Sequence, residues 1–419
     1  MSSKTSLVAG SALGVALALG LGVAAQAQDM SYKWSGAPQF SNDDVSFKFR
    51  GRILVDYVNQ DVSKEGPGGD FKTSNWRGRQ VFLGVEGKLN NYFAYKAEGG
   101  WVNGGAASWD DVVIEYKPNE QVSLLFGNIK AAGLENLTST RFTTFMDRGP
   151  YGDFGVDSYL LSAVAKYQGF NYSATFAVQG NSINSAEVAN AGADSKERFG
   201  LTARAHWAPV NTDMTKVHVA ASYRYRNRGD EGAFAYTGRT VSAYTNGTTY
   251  YTTGAIGNRD KTLAVEGALV HGPFSVQGEY SNIDVTRINA AAVGADPKVK
   301  VGYAFVSFWP TGEMRNYDPA AGEFKRPKIL NPVTAGGMGG VELALRYDYA
   351  DLGDAYDTLN TKPATSTAGK YTSWTAGLNY YPTSYVRFQV NYTDGQVDNI
   401  GLNQDYDIKQ IQLRAQLDF

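Results

Sequence analysis

Arginine and lysine at alternate positions are the residues of this sequence best placed to do chemistry. Lys48, Arg50 and Arg52 form one such series, and Arg224, Arg226 and Arg228 another. On an extended strand, side chains two apart share a face at about 6.8 Å, so each series is a ladder of positive charge. Arg198, Arg204, Arg387 and Arg414 fall at matching positions of other segments, and Lys130, Arg141 and Arg148 stud a long connection. A partly solvated guanidinium near an anion contributes about 1–4 kcal/mol, depending on local dielectric. Several moderate sites in series suit anion passage better than one deep trap. Carboxylates share these faces (Asp56, Glu86, Glu98, Glu266, Glu279, Glu342 and Asp348). For any one arginine the alternative is a structural ion pair in a wall.

Other chemistry is sparse. The 419 residues include no cysteine, which removes disulfides, zinc thiolates and thiol nucleophiles. His206, His218 and His271 are the only histidines, and no carboxylate spacing around them makes a metal site. Neither a G-x-S-x-G elbow nor a Gly-rich phosphate loop occurs, so the expectation is a non-enzyme without cofactors. Lys and Arg number 39 against 41 Asp and Glu, a net charge of −2 that points to no nucleic-acid partner.

The elements that must position these charges have a period of two. In Val45–Tyr57 the positions Phe47, Phe49, Ile53, Val55 and Tyr57 are apolar, while Ser46, Lys48, Arg50, Arg52 and Asp56 alternate with them. Sixteen such runs are found: 45–57, 76–89, 92–102, 109–117, 120–129, 158–167, 170–179, 197–208, 215–226, 259–270, 273–284, 299–309, 341–351, 371–381, 385–393 and 406–419. Tight turns such as Asn90-Asn91 and His271-Gly272 alternate with long connections at 58–75, 130–157, 180–196, 227–258, 285–298, 352–370 and 394–405. One connection, 310–340, is long where a short turn is due. Aromatic residues close the runs (Tyr57, Trp76, Trp101, Trp109, Tyr116, Tyr167, Trp207, Trp309, Tyr380, Tyr381, Phe419).

A soluble sandwich would need something amphipathic to cover so many apolar faces. A closed barrel in lipid needs none and pairs every backbone group between strands. The pattern predicts an all-β fold, a transmembrane antiparallel β-barrel of about 16 strands over residues 45–419, with a water-filled bore. Residues 1–27 read as a signal peptide: Lys4, an apolar stretch from Leu7 to Ala25, then Ala25-Gln26-Ala27. Residues 28–44 are left as a periplasmic N-terminal segment, and 310–340 as a long periplasmic turn. The loop 130–157, too apolar for a solvated flap, is expected to fold into the bore as a constriction.

Certain stretches resemble the phosphate-selective porin O and P family. They are Ser46–Asp56, Trp76-Arg-Gly-Arg-Gln-Val-Phe82, Phe126-Gly127 leading into Gly133–Arg141, Asp147-Arg148, and the later Gly312-Glu313, Gly322-Glu-Phe324, Gly340–Leu343 and Arg346-Tyr-Asp348. The resemblance implies a sixteen-stranded homotrimer in the outer membrane of a Gram-negative bacterium, embedded in its lipid, with the third loop folded inward. It implies passage of small anions: phosphate, polyphosphate and chloride. By position, Arg52 and Arg79 match wall arginines of the constriction. Arg141 and Arg148 match basic residues of the inward loop, and Ser139 and Thr140 its hydroxyl contacts. Asp110 or Asp111 matches an acidic release position. Two departures stand out. Asn136 occupies a place where phosphate-specific members carry lysine, and only Arg224, Arg226, Arg228 and Arg239 remain of an extracellular arginine ladder. The rival readings are a weakly selective general diffusion porin and, in another class, a plugged barrel with an enzymatic or adhesive role.

Overall fold

The computed structural model of the chain describes residues 30–65, 68–103, 105–186, 196–230, 232–240, 244, 247–287, 296–357, 368–399 and 405–419; the leader expected over 1–27 lies outside them. Sixteen staves form the wall: β1 (Ser46–Lys64), β2 (Phe71–Lys88), β3 (Phe93–Val102), β4 (Ala106–Tyr116), β5 (Val122–Ile129), β6 (Leu160–Gln168), β7 (Tyr172–Gln179), β8 (Phe199–Asn211), β9 (Thr215–Asn227), β10 (Tyr251–His271), β11 (Phe274–Arg287), β12 (Lys298–Phe308), β13 (Gly340–Asp351), β14 (Gly369–Thr383), β15 (Val386–Asn399) and β16 (Tyr406–Asp418). Each pairs antiparallel with the next, and β16 returns to β1 in a register running from Asp418↔Arg52 to Tyr406↔Lys64. The sheet is closed, so no stave presents an unpaired edge. Every expected run is a stave.

Much of the burial is that of a soluble protein turned inside out, although toward the loop end apolar side chains such as Phe154, Tyr236, Ile283, Val301 and Tyr303 also pack within the barrel. Among the described residues Arg346 and Arg387 are the largest fully buried side chains, whereas Ile114 and Leu263 are each 60% exposed. Water outside would penalise such a surface, while lipid outside and polar groups within make both halves favourable. Along β16 the side chains of Gln410, Gln412, Arg414 and Gln416 point in, and Ile411, Leu413 and Leu417 point out. Ring pairs lie where staves emerge: Phe93–Tyr116 and Phe274–Phe308 near the short turns, Tyr57–Trp76 and Tyr347–Trp374 toward the long loops. Aromatic rings favour the headgroup level, which accounts for two girdles. Trp309 and Tyr381 do not belong to them. They are buried and stack on each other with centroids 5.1 Å apart.

Several connections are shorter than the alternation predicts. β1 has 19 residues and β10 has 21. About 9–11 residues cross a membrane, so these staves stand well clear of it. There, outward positions no longer need to be apolar, and the sequence signal fades before the strand ends. Most of 58–75 and half of 394–405 are therefore strand. Within 227–258, a short strand at Phe234–Gly238 pairs with β10. The N-terminal segment makes a hairpin of Ser31–Trp34 and Pro38–Ser41, whose second strand pairs with the start of β1 (Gln39↔Lys48).

The connection between β12 and β13 departs most from expectation. No stave was missed there, yet the segment does not hang below the barrel. A small hairpin of Tyr317–Asp318 and Glu323–Phe324 turns back into the bore, where Tyr317 and Phe324 pack with Leu134, Ala208 and Val270. Gly322, at φ +67°, makes its tight turn.

Candidate functional site

The third loop, between β5 and β6, enters the bore from the opposite end. One helical turn, α1 (Leu134–Leu137), begins against β11: the Leu134 and Glu135 amides donate to Glu279 at 2.8 and 2.6 Å. A carboxylate is well placed there, since the first amides of a helical turn have no partner within it. Farther on, the loop lends its carbonyls to the wall. Arg387 donates to Thr143 O at 2.6 Å, Asn379 to Thr144 O at 2.9 Å, Arg414 to Met146 O at 2.7 Å and Arg346 to Arg148 O at 2.7 Å. Gln416 donates to Arg141 O at 3.0 Å. The loop is thus sealed against β13–β16, and its free border faces β1–β4.

Across that border the charges concentrate. Arg50 Nε, Arg52 Nη1 and Arg141 Nη2 converge on the carboxylate of Glu98 at 2.7, 2.6 and 2.7 Å. Arg52 also donates to Gln80, pairs with Asp110 and lies 4.4 Å over the Phe82 ring. A register shift in the β3–β4 ladder, between Ala97↔Val112 and Gly99↔Trp109, places two residues opposite one. Such a bulge turns neighbouring side chains to the same face, so both Asp110 and Asp111 look inward. Asp110 meets Arg52, and Asp111 meets Lys96 at 2.6 Å. Lys48, Lys96 and Glu86 on the wall and Ser139 and Thr140 on the loop are each only partly buried.

The remaining expected residues scatter. Arg79 faces Asp147 at 3.4 Å. Lys130 donates to Asn136 O at 3.1 Å and lies over Tyr159. Arg148 is held within the loop by Glu135 O, Thr138 O and Thr140 Oγ1. Arg224 and Arg226 are turned into the packing instead of forming an open ladder. Arg224 donates to Thr262 and Phe154 O, and Arg226 pairs with Asp260 and with Asp157 at 2.9 Å. Arg228 borders a 480 Å³ cavity at the loop end, together with Arg198, Asp157, Tyr159 and Asp110. Asn136 is a clamp inside the loop, donating to Ala132 O and Asp157 O at 2.9 and 2.8 Å. Alternation places Glu98 on the inner face but gives no sign of its three partners, and nothing in the sequence singles out Lys96, two residues before it.

Within the loop, burial and the nearby Arg148 guanidinium push the Lys130 ammonium down to about 7. Burial pushes the Glu135 carboxyl up, against the pull of Arg346. Asp157 goes the other way: despite burial, Arg224, Arg226 and Arg198 hold it well below the usual carboxylate range.

A closed sheet of sixteen staves, apolar outside and charged within, with a loop folded into its bore, defines an outer-membrane porin. Residues 47–419 match the family of phosphate-selective porins O and P, and the chain belongs to that family. It is 25% identical over 431 residues to Porin O of Pseudomonas aeruginosa, covering 93% of this chain and 94% of that one. An uncharacterized protein of Caulobacter vibrioides is 27% identical over 405 residues, 92% of this chain and 76% of its own length. In fold it is similar to the outer membrane channel DcaP of Acinetobacter baumannii, with a TM-score of 0.53 at 13% identity over 90% of this chain and 99% of that one. Its place is the outer membrane of a Gram-negative bacterium.

Proposed function

We propose that the barrel lets small anions, phosphate foremost, diffuse passively through the gap between the third loop and β1–β4. The convergence of Arg50, Arg52 and Arg141 on the single carboxylate of Glu98 carries this reading. Arg50, Arg52 and Arg141 meet three carboxylates, Glu98, Glu86 and Asp110, so the positive excess comes from Lys48, Lys96, Lys130 and Arg148 over Asp111. Ser139 and Thr140 supply hydroxyls on the loop side. Asp110 and Asp111, tied to Arg52 and Lys96, compete with a bound anion for those cations and so help it leave. Arg79, Arg224, Arg226 and Arg228 shape the positive field above the gap, most of them through ion pairs. Polyphosphate and chloride fall in the same chemical class.

The test is bilayer recording in a salt gradient. The expected reversal potential is anion-selective, and millimolar phosphate is expected to reduce chloride current. A cation-selective reversal potential would overturn the proposal. The weakly selective alternative has its own supporting observation: most bore arginines already hold a carboxylate, and Asn136 is neutral. Chloride current indifferent to phosphate would favour it. For assembly we propose a homotrimer, checked by light scattering in detergent. Cleavage after Ala27 is checked by the mass of the exported chain.

A further inference from the structure

The hairpin that enters the bore between β12 and β13 is held by two histidines. His206 of β8 and His218 of β9 stack with ring centroids 5.5 Å apart and planes within 14°. His206 Nε2 reaches Pro319 O at 2.8 Å, and its Nδ1 meets the Ser173 hydroxyl at 2.7 Å. His218 Nδ1 meets the Tyr317 hydroxyl at 2.6 Å, and its Nε2 faces Glu266 at 3.3 Å. Because Pro319 O and Glu266 only accept, each Nε2 carries the hydrogen and each Nδ1 of the neutral ring accepts from a hydroxyl. The hairpin turn lies directly on this stack: a methyl at Gly322 would sit 2.7 Å from the His206 ring. Its other side touches the third loop, where Phe324 N donates to Thr138 Oγ1.

We propose that the His206–His218 stack is an acid-sensitive latch, which releases the hairpin tip at residues 317–324 and widens the passage beside it when both rings are protonated. The proposal rests on the porin reading above. A second proton on His218 removes the acceptor that Tyr317 uses. Two imidazolium rings would then face each other beside Arg204, with one nearby carboxylate, Glu266, already gripped by Arg204 at 2.9 and 2.6 Å. Every element packed around the pair adds charge. Lys166 of β6 stands on the His206 side and Glu279 of β11 behind Glu266, while the turn contributes Asp318, Glu323 and Lys325 about Lys166. Arg326, bound to Asp418 and Ser384 O, anchors the base of the segment, while the tip is held by the histidines, by Arg204 on Gly322 O and by Thr138.

Single channels recorded at pH 7.5 and 3 test this, the lower value chosen to protonate both buried rings. The expected wild-type conductance rises about twofold in acid, at 1.4 kcal/mol per factor of ten a modest bias. The His206→Gln/His218→Gln double variant, which keeps Lys130, is expected to lose the step. Because the chain has no cysteine, Ala320→Cys gives a single site for a nitroxide, expected to be immobile at pH 7.5 and mobile at pH 3 in the full barrel. A step that persists in the double variant, or a label immobile at both pH values, overturns the latch. If the double variant fails to insert, the label alone decides. A mobilised label in a barrel that never conducts would keep the latch and overturn the porin reading.

Discussion

The third loop leans on two walls that use arginine in opposite ways. Against β13–β16, Arg346, Arg387 and Arg414 spend their donors on loop carbonyls and on buried acids, and solvent is excluded. Against β1–β4, Arg50, Arg52 and Arg141 crowd one carboxylate at the margin of a gap lined by half-buried lysines. The first wall fixes the loop, and on the proposed reading the second gives the bore its field. The same residue type is a structural clamp or an electrostatic element according to whether its excess charge borders water. Breaking the first wall should cost most. Arg346 binds Asp348 and, at 2.6 Å, Glu135. Arg346→Met strands both acids, and removing one partner of a buried pair costs about 3–5 kcal/mol. The midpoint for loss of the folded band in SDS on heating should fall sharply. An unchanged midpoint would detach the loop from this wall.

On the second wall the effect should appear in selectivity. Arg141→Glu takes one guanidinium from Glu98 and puts a second acid at the gap. About 1.4 kcal/mol of lost attraction is a tenfold fall in the anion-to-cation permeability ratio. Reversal potentials measure it directly. A ratio like that of the wild type would mean that ions do not pass this convergence.

Those two walls were not equally legible in sequence. Staves came through because every lipid-facing position must be apolar where the chain crosses the bilayer, as with Leu263 and Val265 on β10. The first eight residues of β10 escape because that requirement lapses above the membrane. Alternation also put Arg387, Arg414 and Glu98 on the inner face correctly. It could not say that Arg387 would be consumed by Thr143 O while Glu98 gathered three cations, because those contacts depend on how a loop crosses the bore. The bulge that turns Asp110 and Asp111 inward together is likewise a matter of ladder register. The entry of residues 317–324 into the bore is written in no period at all.

A smaller effect separates the walls by pH. Lys130, pushed down to about 7 by burial and Arg148, also feels the charges of Asp110, Asp111 and Arg52. A lysine gains its charge as pH falls through its pKa, so the gap becomes more positive from pH 8 to pH 6. The anion preference is expected to rise a few-fold over that interval and to be flat in Lys130→Met. Clamps on β13–β16 are turned onto the loop's carbonyls and should contribute no slope. A slope that survives in Lys130→Met would move the titrating group elsewhere.

The smallest expected change is at Glu86, whose side chain is 38% exposed and holds Arg50 at 2.5 Å. Exposed ion pairs contribute about 0–1 kcal/mol. Glu86→Gln leaves Arg50 on Glu98 and frees part of its field, so anion preference should increase by less than about twofold. Lys48→Gln, on the facing position of β1, should shift it by a similar amount in the opposite direction. Both shifts should vanish by about 1 M salt, where the screening length falls to about 3 Å. The Arg141→Glu change, made among buried partners, should persist there. If the Glu86 and Lys48 variants resisted salt as well, the margin of the gap would be as dry as the clamped wall, and the division between the two would fail.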